Sequence, residues 1–490
     1  MRDLLSKTPW ARVLPGPEGS ELRTDILTQD DFIRQYYPSA HRIHDEGYYP
    51  DILRAVEEPA YDADGNETGT TRRIYKERVP RFAFAFQQVI TAKQLVHLCG
   101  NDIQFDLNTD TADKTLEETA RQFRDGWQEK GMEHVFYEFA KSVKTTGDGA
   151  VVGFLEDGRF GAVVLSARNG DRLYPHYGRN GQLSLFARRY REYDPEGNAV
   201  DRIEVWDDRF LWYLRSANAS DPVAPVHVFG TGLYQCRLEG FVLEAKRAHG
   251  FDRVPVVYMR DDDGPCWAPA QNSIDEYELA FSQMAQNNKA FGEPIMYLQG
   301  ENVEALHDID GSIKILTMGP EDKAGYLESQ SASESFLKEL DDLHDRIYEQ
   351  CFVVKPPELK SGDLPAAALR ILYSPAVEFA MNDAQKYYPP LRRLVFLFAY
   401  GFGVESEGTL DFINLPLVTW IKPYIHLVES SVVSDLATAV QNRFLSRQTA
   451  TERISFYSQE NEWERITAEE KAEEKADILA EYERSRFEGE

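Results

Sequence analysis

Two amphipathic helical patterns bracket a short strand-rich stretch between residues 273 and 352, and no other feature limits the fold of this chain as strongly. Ser273-Ile274-Asp275-Glu276 has the form of a capping box, in which a hydroxyl and a carboxylate satisfy free N–H groups at a helix start. Behind it Ile274, Tyr277, Phe281, Met284 and Phe291 follow at spacings of 3, 4, 3 and 7, one apolar face on a helix over 273–291. Ser331-Ala332-Ser333-Glu334 repeats the signal, and Phe336, Leu340, Leu343, Ile347 and Cys351 follow at 4, 3, 4 and 4. Between them, 294–298 and 312–316 read as strands, with turns at Gly300, at 308–311 and at Gly319-Pro320. Neither helix is apolar all round, so each must pack one face against a neighbour. For so long a helix–β–helix excursion, another subunit is a candidate neighbour.

The rest of the chain can support such an excursion. With 490 residues, 42% of them apolar, and 27 Phe, 25 Tyr and 7 Trp, sizeable cores are expected and bulk disorder is excluded. The longest nearly unbroken apolar run, 394–404, falls well short of the roughly 20 residues that span a bilayer, so no membrane is expected. Met1-Arg2-Asp3-Leu4-Leu5-Ser6-Lys7 has no apolar signal core, so a secreted precursor is not expected either. Cys99, Cys236, Cys266 and Cys351 stand far apart without a metal or redox spacing, which fits a reducing cytoplasm.

Upstream, the Asp/Gly/Asn cluster 62–66 between strand-like 57–61 and 70–75 reads as a hairpin turn. A calcium loop would need its Gly at the sixth position, and Gly65 is at the fourth. Residues 115–143 follow a helical pattern interrupted near Gly131, and Gly147-Asp148-Gly149 ends it before a strand from Ala150. Residues 150–260 have the texture of short strands and turns, closed by Arg253-Val254-Pro255-Val256-Val257-Tyr258 and the breaker Asp261-Asp262-Asp263-Gly264-Pro265. That triplet reads as a solvated loop, lacking a further ligand at readable spacing. Beyond the second helix, 353–364 is a Pro/Ser/Gly loop, and Pro365 opens a helix with a kink expected at Pro375 and a break at Pro389-Pro390. The pattern then continues as the apolar helix 391–398. Residues 461–490 carry 11 acids and 5 bases and read as a solvated helix.

Motifs that would carry catalysis are missing. The glycines at 147–149 precede a strand, the reverse of a phosphate loop, and no Walker lysine, HExxH or Gly-x-Ser-x-Gly appears. Paired carboxylates such as Asp207-Asp208 arise by chance among 82 acids.

The order of these parts resembles the portal (head–tail connector) proteins of tailed double-stranded DNA bacteriophages. The likeness is carried by the Gly147-Asp148-Gly149-Ala150 turn, by 253–258 leading through the acidic loop to Ser273-Ile274-Asp275-Glu276-Tyr277, and by the Lys360-Ser361-Gly362 loop before Pro365-Ala366-Ala367-Ala368-Leu369. The aromatic run 391–402 closes the match, which covers about residues 115–460.

The resemblance implies an α+β portal fold: wing over 1–270, stem helices 271–291 and 331–352, and clip over 292–330. It further implies a tunnel loop over 353–364, a kinked tunnel helix over 365–390, a wing return over 391–460 and an acidic crown over 461–490. It implies a structural protein, no enzyme and no cofactor, that forms a ring, usually of twelve copies, at one capsid vertex of the virion after assembly in the host cytoplasm. Its partners would be double-stranded DNA passing through the channel, the terminase large subunit, head–tail adaptors, and the major capsid and scaffolding proteins.

Ile274, Tyr277, Phe281, Met284, Leu340, Leu343 and Ile347 would pack the stem. Glu301, Asn302, Glu304, His307 and Asp308 would offer the clip to terminase or adaptor, and Lys355, Lys360, Ser361, Gly362 and Arg370 would line the channel. The net charge of −28 argues against ordinary nucleic-acid binding but suits a conduit that repels phosphate. An ordinary solvated loop at 353–364, a carboxylate-dependent hydrolase, and a ring-forming phage component without DNA transit remain the alternatives.

Overall fold

A computed structural model of the chain describes residues 10–13, 24–61, 67–108, 114–218, 221, 227–229, 236–291, 295–299, 304–307, 313–317, 323–327, 333–355, 366–406, 411–424, 429–453, 463, 465–471 and 475. It divides into two compact units, residues 1–356 with 375–424 and residues 357–374 with 425–490.

The larger unit opens with β1 (Trp10–Val13) paired to β2 (Thr24–Leu27) and then α1 (Gln29–Tyr36). The hairpin of β3 (Ile52–Tyr61) and β4 (Glu67–Glu77) runs longer at both ends than the sequence reading placed it; its turn, 62–66, lies outside the described residues. After α2 (Phe86–Cys99) and the short β5 (Gln104–Leu107) come α3 (Lys114–Glu129) and α4 (Met132–Thr146), separated at Gly131. Gly147 ends α4 at φ 79°, a left-handed conformation that costs a side chain about 1–2 kcal/mol, and its N–H closes on the Val143 carbonyl.

The turn delivers the chain into β6 (Asp148–Glu156), which pairs with β7 (Arg159–Leu165). Five antiparallel strands then form a second sheet. They are β8 (Arg172–Tyr177), β9 (Leu183–Tyr193), β10 (Ala199–Trp206) and β11 (Phe210–Ser216), and, after the ribbon of β12 (His227–Phe229) and β13 (Cys236–Leu238), β14 (Phe241–Ala248). Ile203 stands opposite Leu214 on one side and Arg189 on the other, with Ile203, Val205 and Leu214 in the core of that sheet. β15 (Val256–Arg260) returns to the first sheet beside β6.

α5 (Gln271–Phe291) and α6 (Ser333–Gln350) bracket two strand pairs. β16 (Ile295–Gln299) pairs with β19 (Lys323–Leu327), and β17 (Glu304–His307) with β18 (Ile313–Thr317). α7 (Ala366–Glu405) follows, and β20 (Leu417–Trp420) closes the larger unit by pairing with β5. The main core lies where the stretch 391–399 of α7 meets α2, α3, α4 and the β15-β6-β7 sheet, with Phe123, Trp127, Leu391, Leu394 and Phe398 all buried. The approach is close: a Cβ on Gly153 of β6 would stand 2.9 Å from the Leu397 side chain. In the smaller unit α8 (Glu429–Gln441) and α9 (Arg447–Arg453) are joined through Ser446, whose Oγ accepts from the Thr449 N–H at 3.0 Å.

Two expectations are corrected. α5 begins at Gln271, entered from the tight turn Ala268–Ala270, so Ser273 stands inside the helix and donates to Gln350 Oε1 at 3.3 Å. Pro269 pre-sets the backbone for that turn and Trp267 and Ala270 anchor it in the core, so the helix starts without a capping hydroxyl. The break expected at Pro389-Pro390 is absent, since α7 runs through both. The carbonyls that these prolines leave without donors belong to Gln385 and Lys386, both exposed to water, while Tyr387, Leu391 and Leu394 hold the opposite face in the core.

Candidate functional site

α5 and α6 lie side by side, and their apolar stripes define the first candidate region. Ile274 and Ile347 are fully buried with Cys351, Val353, Phe32, Ile90 and Trp267. Leu340 is buried, while Phe281, Met284 and Leu343 are partly covered. The aromatic part of the α5 stripe meets its own subunit: Phe84 stands 5.2 Å from Tyr277 and 5.1 Å from Phe281, centroid to centroid, and Phe86 stands 5.1 Å from Tyr277. Residues 82–86, which the sequence reading passed over, are bonded to α5, as the Phe82 N–H donates to Ser282 Oγ at 3.0 Å and the Phe84 N–H to Glu278 Oε1 at 2.8 Å.

Of the residues singled out for the channel, Lys355 is exposed and bonds Asp345 of α6 at 3.2 Å. Lys360, Ser361 and Gly362 lie outside the described residues, and Arg370 is placed in the first turns of α7. Of the strand-unit residues, Glu304 pairs in register with Thr317 and His307 with Ile313; Glu301, Asn302 and Asp308 lie outside the described residues. Asp207 is a turn residue, its carboxylate accepting from the N–H groups of Arg209 and Phe210 and from Trp212 Nε1. Of the acidic triplet, only Asp262 and Asp263 have the expected exposure; Asp261 bonds Lys386 of α7 at 3.0 Å.

Three buried polar groups escaped the sequence reading. Lys144, near the end of α4, donates to Asp383 Oδ2 at 2.5 Å and to Gln94 Oε1 at 3.0 Å, both ions nearly out of water. The signal was present, because Phe136, Ala140 and Lys144 are four apart and a lysine in line with two core residues needs a buried acceptor. His41 bonds Glu278 at 2.7 Å through Nδ1 and the Gln35 carbonyl at 2.7 Å through Nε2, joining the segment after α1 to α5. Asp148, at the start of β6, accepts from Gln29 Nε2 and, at 3.2 Å, from the Tyr258 hydroxyl. Burial pushes its carboxyl up to about 7, those hydrogen bonds opposing. Burial also pushes the Cys99, Cys266 and Cys351 thiols up, to about 12, 11 and 12, which makes them inert at neutral pH. Among the described residues no His/Cys/Asp/Glu cluster could hold a metal ion, and no helix is long and apolar enough to cross a membrane.

Comparison with curated proteins returns no match. Among solved structures, the chain is similar to one described as the virion of a native gene transfer agent particle, at 11% identity and a TM-score of 0.38, covering 76% of this chain and 88% of that one. It is similar also to the neck of a native gene transfer agent particle computed with C12 symmetry, at 12% identity and a TM-score of 0.37, covering 75% and 88%. The family model described as phage portal protein, SPP1 Gp6-like, matches residues 24–476. With so nearly the whole length matched, this α+β chain belongs to the phage portal protein family, SPP1 Gp6-like.

Proposed function

We propose that the chain forms the ring-shaped channel at one capsid vertex through which double-stranded DNA is packaged by a terminase motor and later ejected, and to which head-completion or tail proteins attach. The observation that carries this reading is the succession α5, strand unit, α6 and α7 within a chain of a portal family. In this reading α5 and α6 are the stem, β16 to β19 the clip, residues 353–364 the tunnel loop, and the amino-terminal half of α7 the tunnel helix. The elements before α5, together with the later half of α7 and β20, are the wing, and the carboxyl-terminal residues are the crown.

Twelve copies are the expected ring, assembled in the host cytoplasm with scaffolding and major capsid proteins and retained in the virion. A chain of net charge −28 suits the task, since carboxylates around a channel repel the phosphates of passing DNA and keep it from sticking. Negative-stain imaging of the purified protein, paired with reconstituted packaging, tests the reading. Closed rings with a central hole are expected, and capsids assembled without the protein should stay empty. Monomers or compact dimers at every concentration, or filling that proceeds without the protein, would refute it.

A further inference from the structure

The sheet that the main core packs against ends in an open edge. Its strands run β15-β6-β7, so one side of β7 has no strand beside it. Two hydrogen bonds fix which peptide groups point that way. The Phe160 N–H donates to Glu405 Oε2 at 2.9 Å, and the Gly153 N–H, opposite Ala162 in the ladder, is spent on the Pro255 carbonyl at 2.9 Å on the far side of β6. Peptide groups of an antiparallel strand alternate in direction, so those of Ala162 and Val164 face the open side with that of Phe160. Both ends of the edge are closed, by Glu405 at Phe160 and by Asp171 Oδ2, which accepts from the Ser166 N–H at 3.0 Å. Between these ends Ala162 and Val164 have no backbone partner across the edge among the described residues.

The two open peptide units line a groove of about 280 Å³ between β7, α4 and the turn at 166–169. Its charges are not balanced from within. Glu138 of α4 is bonded to Lys141 at 3.0 Å, and His134 is exposed. Arg168 has no carboxylate partner among the described residues; its guanidinium lies 5.5 Å from the Tyr36 ring, and its Nε is buried without an acceptor. Free donors on a strand edge beside a cation that lacks an acceptor are what an extended peptide with a carboxylate satisfies, its carbonyls on the strand and its charge on the guanidinium. An open edge is in any case a template for another chain. In the ring proposed above the next copy is held alongside, at an effective concentration far above that of a free partner, and each copy has 82 acids against 54 bases from which to supply the carboxylate.

We infer that the edge of β7 receives an extended, carboxylate-bearing segment of a neighbouring copy of this chain, which adds a strand to the β15-β6-β7 sheet and sets its carboxylate on Arg168. The inference rests on the ring reading above and assigns one of its contacts. Main-chain hydrogen bonds hold the segment, and the charge on Arg168 selects among segments.

Two experiments test it on the full-length protein. Ala162→Pro removes an N–H that β6 does not use, and proline is accepted at such edge positions. Protomers should keep a wild-type circular dichroism spectrum while the protein concentration needed for half-assembly, read by light scattering, rises about tenfold or more, and Arg168→Glu should do the same. The second experiment names the occupant and holds even if Ala162→Pro does not fold: the photoreactive p-benzoylphenylalanine replaces the exposed Asn169 at the groove. Irradiated rings should give a species of twice the chain mass, linked at a carboxylate-bearing segment of the second copy, and adding Arg168→Glu should abolish the link. Links confined to a single copy, no link from intact rings, or assembly of both edge variants at the wild-type concentration overturn the inference while leaving the portal reading standing. A wild-type chain that never forms rings overturns both.

Discussion

Asp148 shows how one residue can set the pH response of the protein. Its carboxyl is buried between Gln29 and Tyr258, and its proton is held up to about 7, against 3.8 for an unperturbed group. The folded state therefore binds this proton more tightly than the unfolded chain. Its burden is absent below about pH 3.8, grows as pH rises, and is complete above about 7, where ionising the buried group costs on the order of 4 kcal/mol. Asp148→Asn should remove that slope: the urea midpoint of the variant should fall less between pH 5 and pH 8 than that of the wild type. A parallel fall in both would show that Asp148 is not the group responsible. Nothing near Asp148 in sequence announces this, because Gln29 and Tyr258 stand 119 and 110 positions away. Lys144 was passed over too, although its spacing alone puts it in line with the buried Phe136 and Ala140.

At the scale of elements, the Lys144–Asp383 pair ties the end of α4 to α7. Removing one partner leaves a charge buried alone, a loss of about 3–5 kcal/mol, whereas replacing both with apolar groups is often neutral. Lys144→Met should thus lower the unfolding midpoint sharply, and Lys144→Met with Asp383→Leu should recover most of it. If the double variant is as weak as the single, the pair contributes through more than its charges.

Local signals placed the elements of this region well where they depend on local physics. The interruption at Gly131, the stop at Gly147 and the short strands and turns of 150–260 all follow from neighbours in sequence. They failed where distant packing decides. The box at Ser273 looks like a helix start, yet burial of Trp267 moves the start upstream; Pro389-Pro390 looks like a stop, yet the core at Tyr387 and Leu391 carries the helix past it.

For the whole molecule, the succession of two helices around a strand unit and a long helix after them was readable although no short motif was. In the proposed channel, the cations of residues 353–364 would bear on how the ring handles DNA. In a ring, Lys355 and Lys360 of every copy would form a positive band in an acidic tunnel, each phosphate contact adding about one unit to the salt dependence of DNA association. Lys355→Glu with Lys360→Glu should yield rings of normal mass that package slowly or release DNA after filling. Failed assembly with unimpaired DNA handling in the rings that do form would place this loop at a subunit contact. The pairing of β5 with β20 has a consequence of another kind. Leu107 meets Leu417, and the core beneath them needs Leu391, Phe398 and Ile421 to close over Phe123 and Trp127. Some 310 residues separate the two strands, so at about 5–20 residues per second the ribosome takes roughly 15–60 s to supply the second. For that interval the core side chains of α3 and α4 wait for the partners that α7 and β20 bring, so this core closes only late in synthesis.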